Sequence, residues 1–182
     1  LAIPRGGLPI GAIVAKALQA PLDVALSKKI GHPFNKEYAI GAVSLENSIL
    51  NDVSGIHKSY IAEETTRIRE KLKKRHQQYY KNREPEDLKD KIVIIIDDGI
   101  ATGNTINVTA KLVSVQKPKK IIVAIPVAPR SAVKSLENSS SIDQVICLQT
   151  PYDFRAVGQF YEFFNQVSDE EAIQLLEECN KA

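Results

Sequence analysis

The 182-residue sequence has no methionine, only two cysteines and three histidines, and no apolar run near the ~20 residues that span a bilayer. Cys147 lies in an apolar run and Cys179 near the end of the chain, surroundings too unlike to form a disulfide framework or a metal-ligand pattern. Both read as packing residues, as expected of a protein in a reducing cytoplasm. No secretory signal is seen. A formal net charge of +2 is too small to imply nucleic acid or a membrane surface as a partner. Repeats and low-complexity linkers are absent too, so the chain reads as one domain over residues 1–182, large enough to bury a sizeable core. Lacking methionine and opening in mid-strand on Leu1-Ala2-Ile3, it is expected to be without its native start.

What is present alternates strand and helix, the pattern of a mostly parallel sheet with helices on both faces. Strands are expected at residues 1–3, 22–26, 92–96, 120–126 and 144–148, and helices at 9–18, 58–80, 107–115 and 130–136. Residues 39–43 and 49–53 suit a hairpin with Glu46-Asn47 at its turn. Residues 150–167 hold more than half of the tyrosines and phenylalanines, and Ser168 with Glu171 caps a last helix.

One segment is more specific than the rest. Residues 92–96 are uninterrupted isoleucine and valine, suited to a strand covered on both faces, and Asp97 and Asp98 follow at its carboxyl end. Ligands bind at that edge of open α/β sheets. Gly99, Ile100, Ala101, Thr102, Gly103, Asn104 and Thr105 then form a tight turn opening a helix, where free N–H groups and the positive helix end attract an anion. Paired acids beside an anion site need a neutral diol to accept hydrogen bonds from, or a divalent cation to offset their charge. A sugar phosphate with vicinal hydroxyls, together with magnesium, meets both needs. A P-loop is excluded because the glycines are one residue too close and Asn104 stands in the lysine position. A dinucleotide fingerprint is excluded because only Gly99 and Gly103 are present.

The segment resembles the 5-phosphoribosyl 1-pyrophosphate (PRPP) signature of type I phosphoribosyltransferases, and the overall pattern is most similar to an uncharacterised bacterial branch of that family. The resemblance implies a three-layer α/β fold on a mostly parallel sheet of about five strands. It also implies that Asp97 and Asp98 are the catalytic acids holding the ribose hydroxyls and a magnesium ion, while residues 99–105 hold the 5′-phosphate. Pro4-Arg5-Gly6-Gly7 ends the first strand, where the family places its pyrophosphate loop, and resembles the Arg-Gly-Phe segment of adenine phosphoribosyltransferases. Lys28-Lys29-Ile30-Gly31-His32-Pro33 resembles the basic run of the same enzymes. Arg5, Gly6, Gly7, Lys28 and Lys29 are thus the implied pyrophosphate contacts.

Residues 34–54 correspond in position to a hood over the reaction centre, with Glu37, Glu46 and His57 as its titratable side chains. Residues 150–167 resemble the aromatic hood of purine-salvage phosphoribosyltransferases: Phe154, Val157-Gly158, then Glu162 and Phe163, with one extra residue between phenylalanine and valine. Tyr152 and Phe154 are the implied acceptor contacts, and Glu162 an implied magnesium ligand through water. Ala101 stands where 6-oxopurine enzymes carry an aspartate, and residues 125–128 lack the lysine that reads a 6-oxo group, so hypoxanthine and guanine are poor acceptors.

The implied reaction transfers the 5-phosphoribosyl group of PRPP to a nitrogen acceptor, with a nucleobase as the expected class, and releases pyrophosphate; the resemblance further implies a cytoplasmic homodimer. The rival is a PRPP-sensing regulator that binds nucleic acid or a partner without catalysis. Its support is the basic helix at 58–80, but Glu63, Glu64 and Glu70 precede the basic residues at helical spacing, which makes a salt-laced surface helix and disfavours nucleic acid.

Overall fold

The computed structural model describes residues 1–36, 38–51, 53–80 and 84–181. Three strands, β4 (Ile92–Ile96), β5 (Lys120–Val127) and β6 (Gln144–Gln149), form a parallel sheet in the order β4-β5-β6. About five strands were expected. Residues 1–3 and 22–26 add only single-residue parallel bridges, Ala2 to Ile96 and Ala2 to Val24. Pro4 and Pro21, neither of which has an N–H to donate, bound these two segments and keep them short.

Helices α3 (Asn104–Ser114) and α4 (Arg130–Glu137) cover one face of the sheet. Ile106, Ala110, Val113, Ala132 and Leu136 meet Val93, Ile95, Ile121, Val123 and Ile125 there, and every second residue of β5 is buried. On the other side, α1 (Gly7–Leu18) packs near β4 and joins α2 (Lys58–Tyr80) and α5 (Asp169–Cys179) in a second core. The strand expected to be covered on both faces is covered less evenly: Ile92 is 58% exposed and Ile94 half-buried, where a cavity opens between α1 and β4. No helix among the described residues is long and apolar enough to cross a membrane.

A second sheet is antiparallel, with strands β1 (Ser27–Gly31), β2 (Ala39–Ser44) and β3 (Ser48–Leu50) in that order. The hairpin between β2 and β3 is the expected one, but its turn is not over Asp97 and Asp98. Ser44 pairs with Ser27, so β2 returns its carboxyl end to the edge of the parallel sheet. Glu46 accordingly lines a cavity beside Asp23 and Gln116. His57 is exposed just ahead of α2, and Glu37 lies outside the described residues. Lys28 and Lys29, expected in a loop after a strand, are within β1 itself; Lys28 is exposed and Lys29 half-buried.

Candidate functional site

Two segments more than ninety residues apart in sequence meet at the end of β4. The 4–7 loop follows the Ala2 bridge, and Asp97 follows Ile96 on the neighbouring strand. Glycine is required for the contact. A Cβ on Gly6 would run into the Asp98 carboxylate, and a Cβ on Gly7 would lie 2.6 Å from the Ile96 carbonyl oxygen and 3.1 Å from Asp97 Cα. The Pro4–Arg5 peptide in this loop is cis.

Among the described residues no basic side chain pairs with the two acids. Asp97 Oδ1 accepts a hydrogen bond from the Asp98 N–H at 2.9 Å, and the two carboxylates are neighbours. Burial, reinforced by the Asp98 charge, pushes the Asp97 carboxyl up to about 7. Burial raises Asp98 as well. Both shifts reflect carboxylate charge left short of partners, which a cation or a ligand that donates hydrogen bonds would supply in competition with protons.

The turn after them is open where an anion would sit. Gly103, at φ +76°, is the N-cap of α3 and supplies no side-chain cap; in the first turn the Asn104 N–H donates to the Thr102 hydroxyl oxygen at 3.4 Å, a long contact that a bound anion could replace. Ala101, Thr102, Asn104 and Thr105 are exposed. Gly99 is buried, and Ile100 turns inward: its side chain is 5% exposed and its N–H donates to the Val127 carbonyl oxygen at 3.1 Å.

Beside the acids lies a cavity of about 550 Å³ whose lining includes Arg5, Gly6, Arg75, Asp98, Tyr161 and Phe163. Arg5 Nη1 lies 3.7 Å from Asp169 Oδ1, and the Tyr79 hydroxyl donates to the same oxygen at 3.0 Å. Burial, then Asp169, pushes the Tyr79 hydroxyl up to about 12. The Tyr161 hydroxyl donates to the Asp98 carbonyl oxygen at 2.5 Å, and burial, with the Asp98 and Asp97 charges, raises it.

The structure therefore brings Arg5, Gly6 and Gly7 to Asp97 and Asp98. It does not bring Lys28, Lys29, Tyr152 or Phe154 to the lining of the cavity. Tyr152 is fully exposed, and Phe154 stacks on Phe160 at a centroid separation of 5.5 Å. Glu162 is exposed, and no group of three or more histidines, cysteines or acids gathers among the described residues. Asp97 and Asp98 alone fit a divalent cation that takes its other oxygens from phosphate and water.

Sequence reasoning missed Tyr161, Asp169 and Arg75. The signal for Arg75 was available. Ile68, Leu72 and Tyr79 form the buried stripe of α2, and Arg75 falls in the same register, three residues after Leu72 and four before Tyr79.

Residues 1–155 match the family model described as "Phosphoribosyl transferase domain". Two Mycobacterium tuberculosis proteins, named "Putative phosphoribosyl transferase MT0597" (strain CDC 1551 / Oshkosh) and "Putative phosphoribosyl transferase Rv0571c" (strain ATCC 25618 / H37Rv), are each 37% identical to the chain over 186 residues. The alignments cover 100% of this chain but 42% of those proteins, so it spans less than half of their length. The crystal structure of TT1426 from Thermus thermophilus superposes with a TM-score of 0.90 at 36% identity, covering 97% of this chain and 85% of that one. Matched by the family model over most of its length, the chain belongs to the phosphoribosyl transferase domain family.

Proposed function

We propose that this protein transfers the 5-phosphoribosyl group of PRPP to the nitrogen of a small acceptor, a nucleobase, and releases pyrophosphate. The observation carrying this reading is the contact of Gly6 and Gly7 with Asp98 and Asp97. It puts an arginine-bearing loop suited to pyrophosphate beside the acids and the open helix start suited to ribose 5-phosphate. In this reading Asp97 and Asp98 accept from the ribose hydroxyls. The 5′-phosphate is held in the 99–105 turn by N–H groups and by the hydroxyls of Thr102 and Thr105. Arg5 meets the pyrophosphate.

Attack by nitrogen at the anomeric carbon displaces pyrophosphate through an oxocarbenium-like transition state, as in glycoside chemistry. The protein's part is to fix the ribose and the leaving group in line and to place carboxylate charge near the developing cation. Asp97 and Asp98 are the residues that would hold a magnesium ion, which would supply neutralisation of the leaving pyrophosphate. Glu162 would help to hold that ion through water, and Tyr152 or Phe154 meets the base after closure of the 150–167 segment as a hood. The protein works in the cytoplasm as a homodimer.

The test is pyrophosphate release from PRPP and magnesium across a panel of nucleobases and small amines. Release that depends on one acceptor supports the reading. PRPP binding without release for any acceptor points instead to a PRPP sensor. Arg5→Ala is expected to weaken pyrophosphate more than ribose 5-phosphate, and equal losses would remove Arg5 from the pyrophosphate loop.

A further inference from the structure

We infer that Arg75 is a specificity residue that pairs with a negative group on the acceptor, so that the acceptor class is an acidic, flat heterocycle. This rests on the proposed transfer reaction and extends it to the substrate. Among the described residues lining the cavity beside Asp98, two carry guanidinium groups, Arg5 and Arg75, and one is an acid, Asp98. Arg5 is held by Asp169, itself hydrogen-bonded by Tyr79. Arg75 has no ion-pair partner among the described residues. Elsewhere on the same helix, Arg67 is clasped by both oxygens of Glu64, at 3.0 and 2.6 Å.

Position argues the same way. Arg75 follows the register of Ile68, Leu72 and Tyr79 but is itself exposed, where the stripe leaves the core and meets the cavity. A guanidinium offers a planar fork of donors that matches a carboxylate or a pair of acidic ring oxygens. The rest of the wall suits a flat ring. Phe163 is 77% exposed and Phe164 49% exposed, while Tyr161 and Phe164 pack with centroids 5.1 Å apart. The side-chain amides of Asn165 and Gln166 supply further donors. An exposed aromatic beside an unpaired guanidinium favours an anionic heterocycle over pyrophosphate, which has no face to stack.

The experiment is a calorimetric titration of wild type, Arg75→Gln and Arg75→Lys with nicotinate and orotate against their uncharged counterparts, nicotinamide and uracil. Each is run with and without pyrophosphate and magnesium, and PRPP is titrated separately. The expected result is a preference of the wild type for at least one acid over its uncharged counterpart. Arg75→Gln should weaken that acid about 10-fold, Arg75→Lys should restore part of the loss, and PRPP affinity should stay within about two-fold. A wild type indifferent to charge overturns the inference. So does Arg75→Gln weakening PRPP as much as the acid, which would assign Arg75 to the donor. The heterocycle titrations need no PRPP. A protein that ignores PRPP but keeps an Arg75-dependent preference for the acid therefore overturns the transferase reading while leaving this one standing.

Discussion

Asp23 and Asp97 sit one residue from the two bridge partners of Ala2, Asp23 just before Val24 and Asp97 just after Ile96, yet their carboxylates meet different surroundings. Asp23 is 3% exposed and saturated with donors. Tyr80 donates its hydroxyl to Oδ1, the Val24 N–H reaches the same oxygen at 2.7 Å, and the Glu86 N–H reaches Oδ2 at 2.8 Å. These bonds tie α2 and the approach to β4 to the sheet edge. Asp97, half-buried, has the Asp98 N–H and a second carboxylate beside it. A buried acid with its partners in place holds a fold together, whereas one left short of them is held ready for a ligand.

The largest expected effect breaks the second half of that contrast. Asp97→Asn combined with Asp98→Asn should weaken PRPP at least about 100-fold in calorimetry with magnesium, since two charged acceptors are lost. Undiminished affinity would remove both residues from the site. The fold should respond in the opposite sense. The Asp97 carboxyl rises from an ordinary 3.8 to about 7 in the folded state, so between those values the folded protein holds more protons than the unfolded one. Stability therefore falls as pH rises through that window. The double variant, without charges to bury, should show a flatter melting profile between pH 4 and pH 7 by differential scanning calorimetry, and an identical slope would contradict the assigned burial cost.

Asp23→Ala tests the first half. It removes the acceptor of the Val24 and Glu86 N–H groups and the shorter bond of the Tyr80 hydroxyl, at a cost of about 3 kcal/mol, or about 6–12 °C in melting temperature. PRPP affinity of the folded fraction should hold. A loss of affinity with unchanged melting would mean that Asp23 serves the ligand.

The two aspartates also mark what a sequence can reveal. Asp97 was legible because its neighbours carry a local code: an apolar strand, a second acid, and glycines spaced for a turn. That residues 4–7 belong to the same site was implied by the resemblance, which places a pyrophosphate loop after the first strand, while the close approach of Gly6 and Gly7 to the acids was not foreseen. Asp23 carried no such code, since its partners Tyr80 and Glu86 come from segments about sixty residues away. The same holds for Asp169, whose partner Arg5 lies at the other end of the chain. Helix α2 was read with its observed bounds, yet its charge pattern concealed Arg75, because averaging over seven lysines and arginines hides the one in the apolar register. The strands at 1–3 and 22–26 were placed correctly in order, but a run of apolar residues does not say whether pairing extends beyond one rung. The β2–β3 hairpin was foreseen without its direction, which depends on the antiparallel pairing of Ser27 with Ser44.

Gly6→Ala sharpens the comparison from the side of the loop. The new methyl group occupies the space of the Asp98 carboxylate, a side chain able to move, so the fold should lose only about 1 kcal/mol. The displaced carboxylate should weaken PRPP about 10-fold, because the reacting geometry depends on its position. If melting temperature drops steeply and affinity does not, the contact is a packing device and the loop is not part of the site.

Tyr161→Phe gives the smallest effect and isolates the backbone of the acid pair. The hydroxyl donates to the Asp98 carbonyl oxygen, not to either carboxylate, so its removal leaves both charges in place and frees only the main chain that aims them. The bond is worth about 1 kcal/mol, equivalent to about five-fold in PRPP affinity if aiming is its whole role. Because burial and the two carboxylates raise the Tyr161 hydroxyl above its ordinary range, it stays a donor throughout the neutral pH range, and the loss should be the same at pH 6 and pH 8. A loss that grows between those values would mean that the hydroxyl follows the titration of Asp97 and shares its proton, in place of steadying the chain behind it.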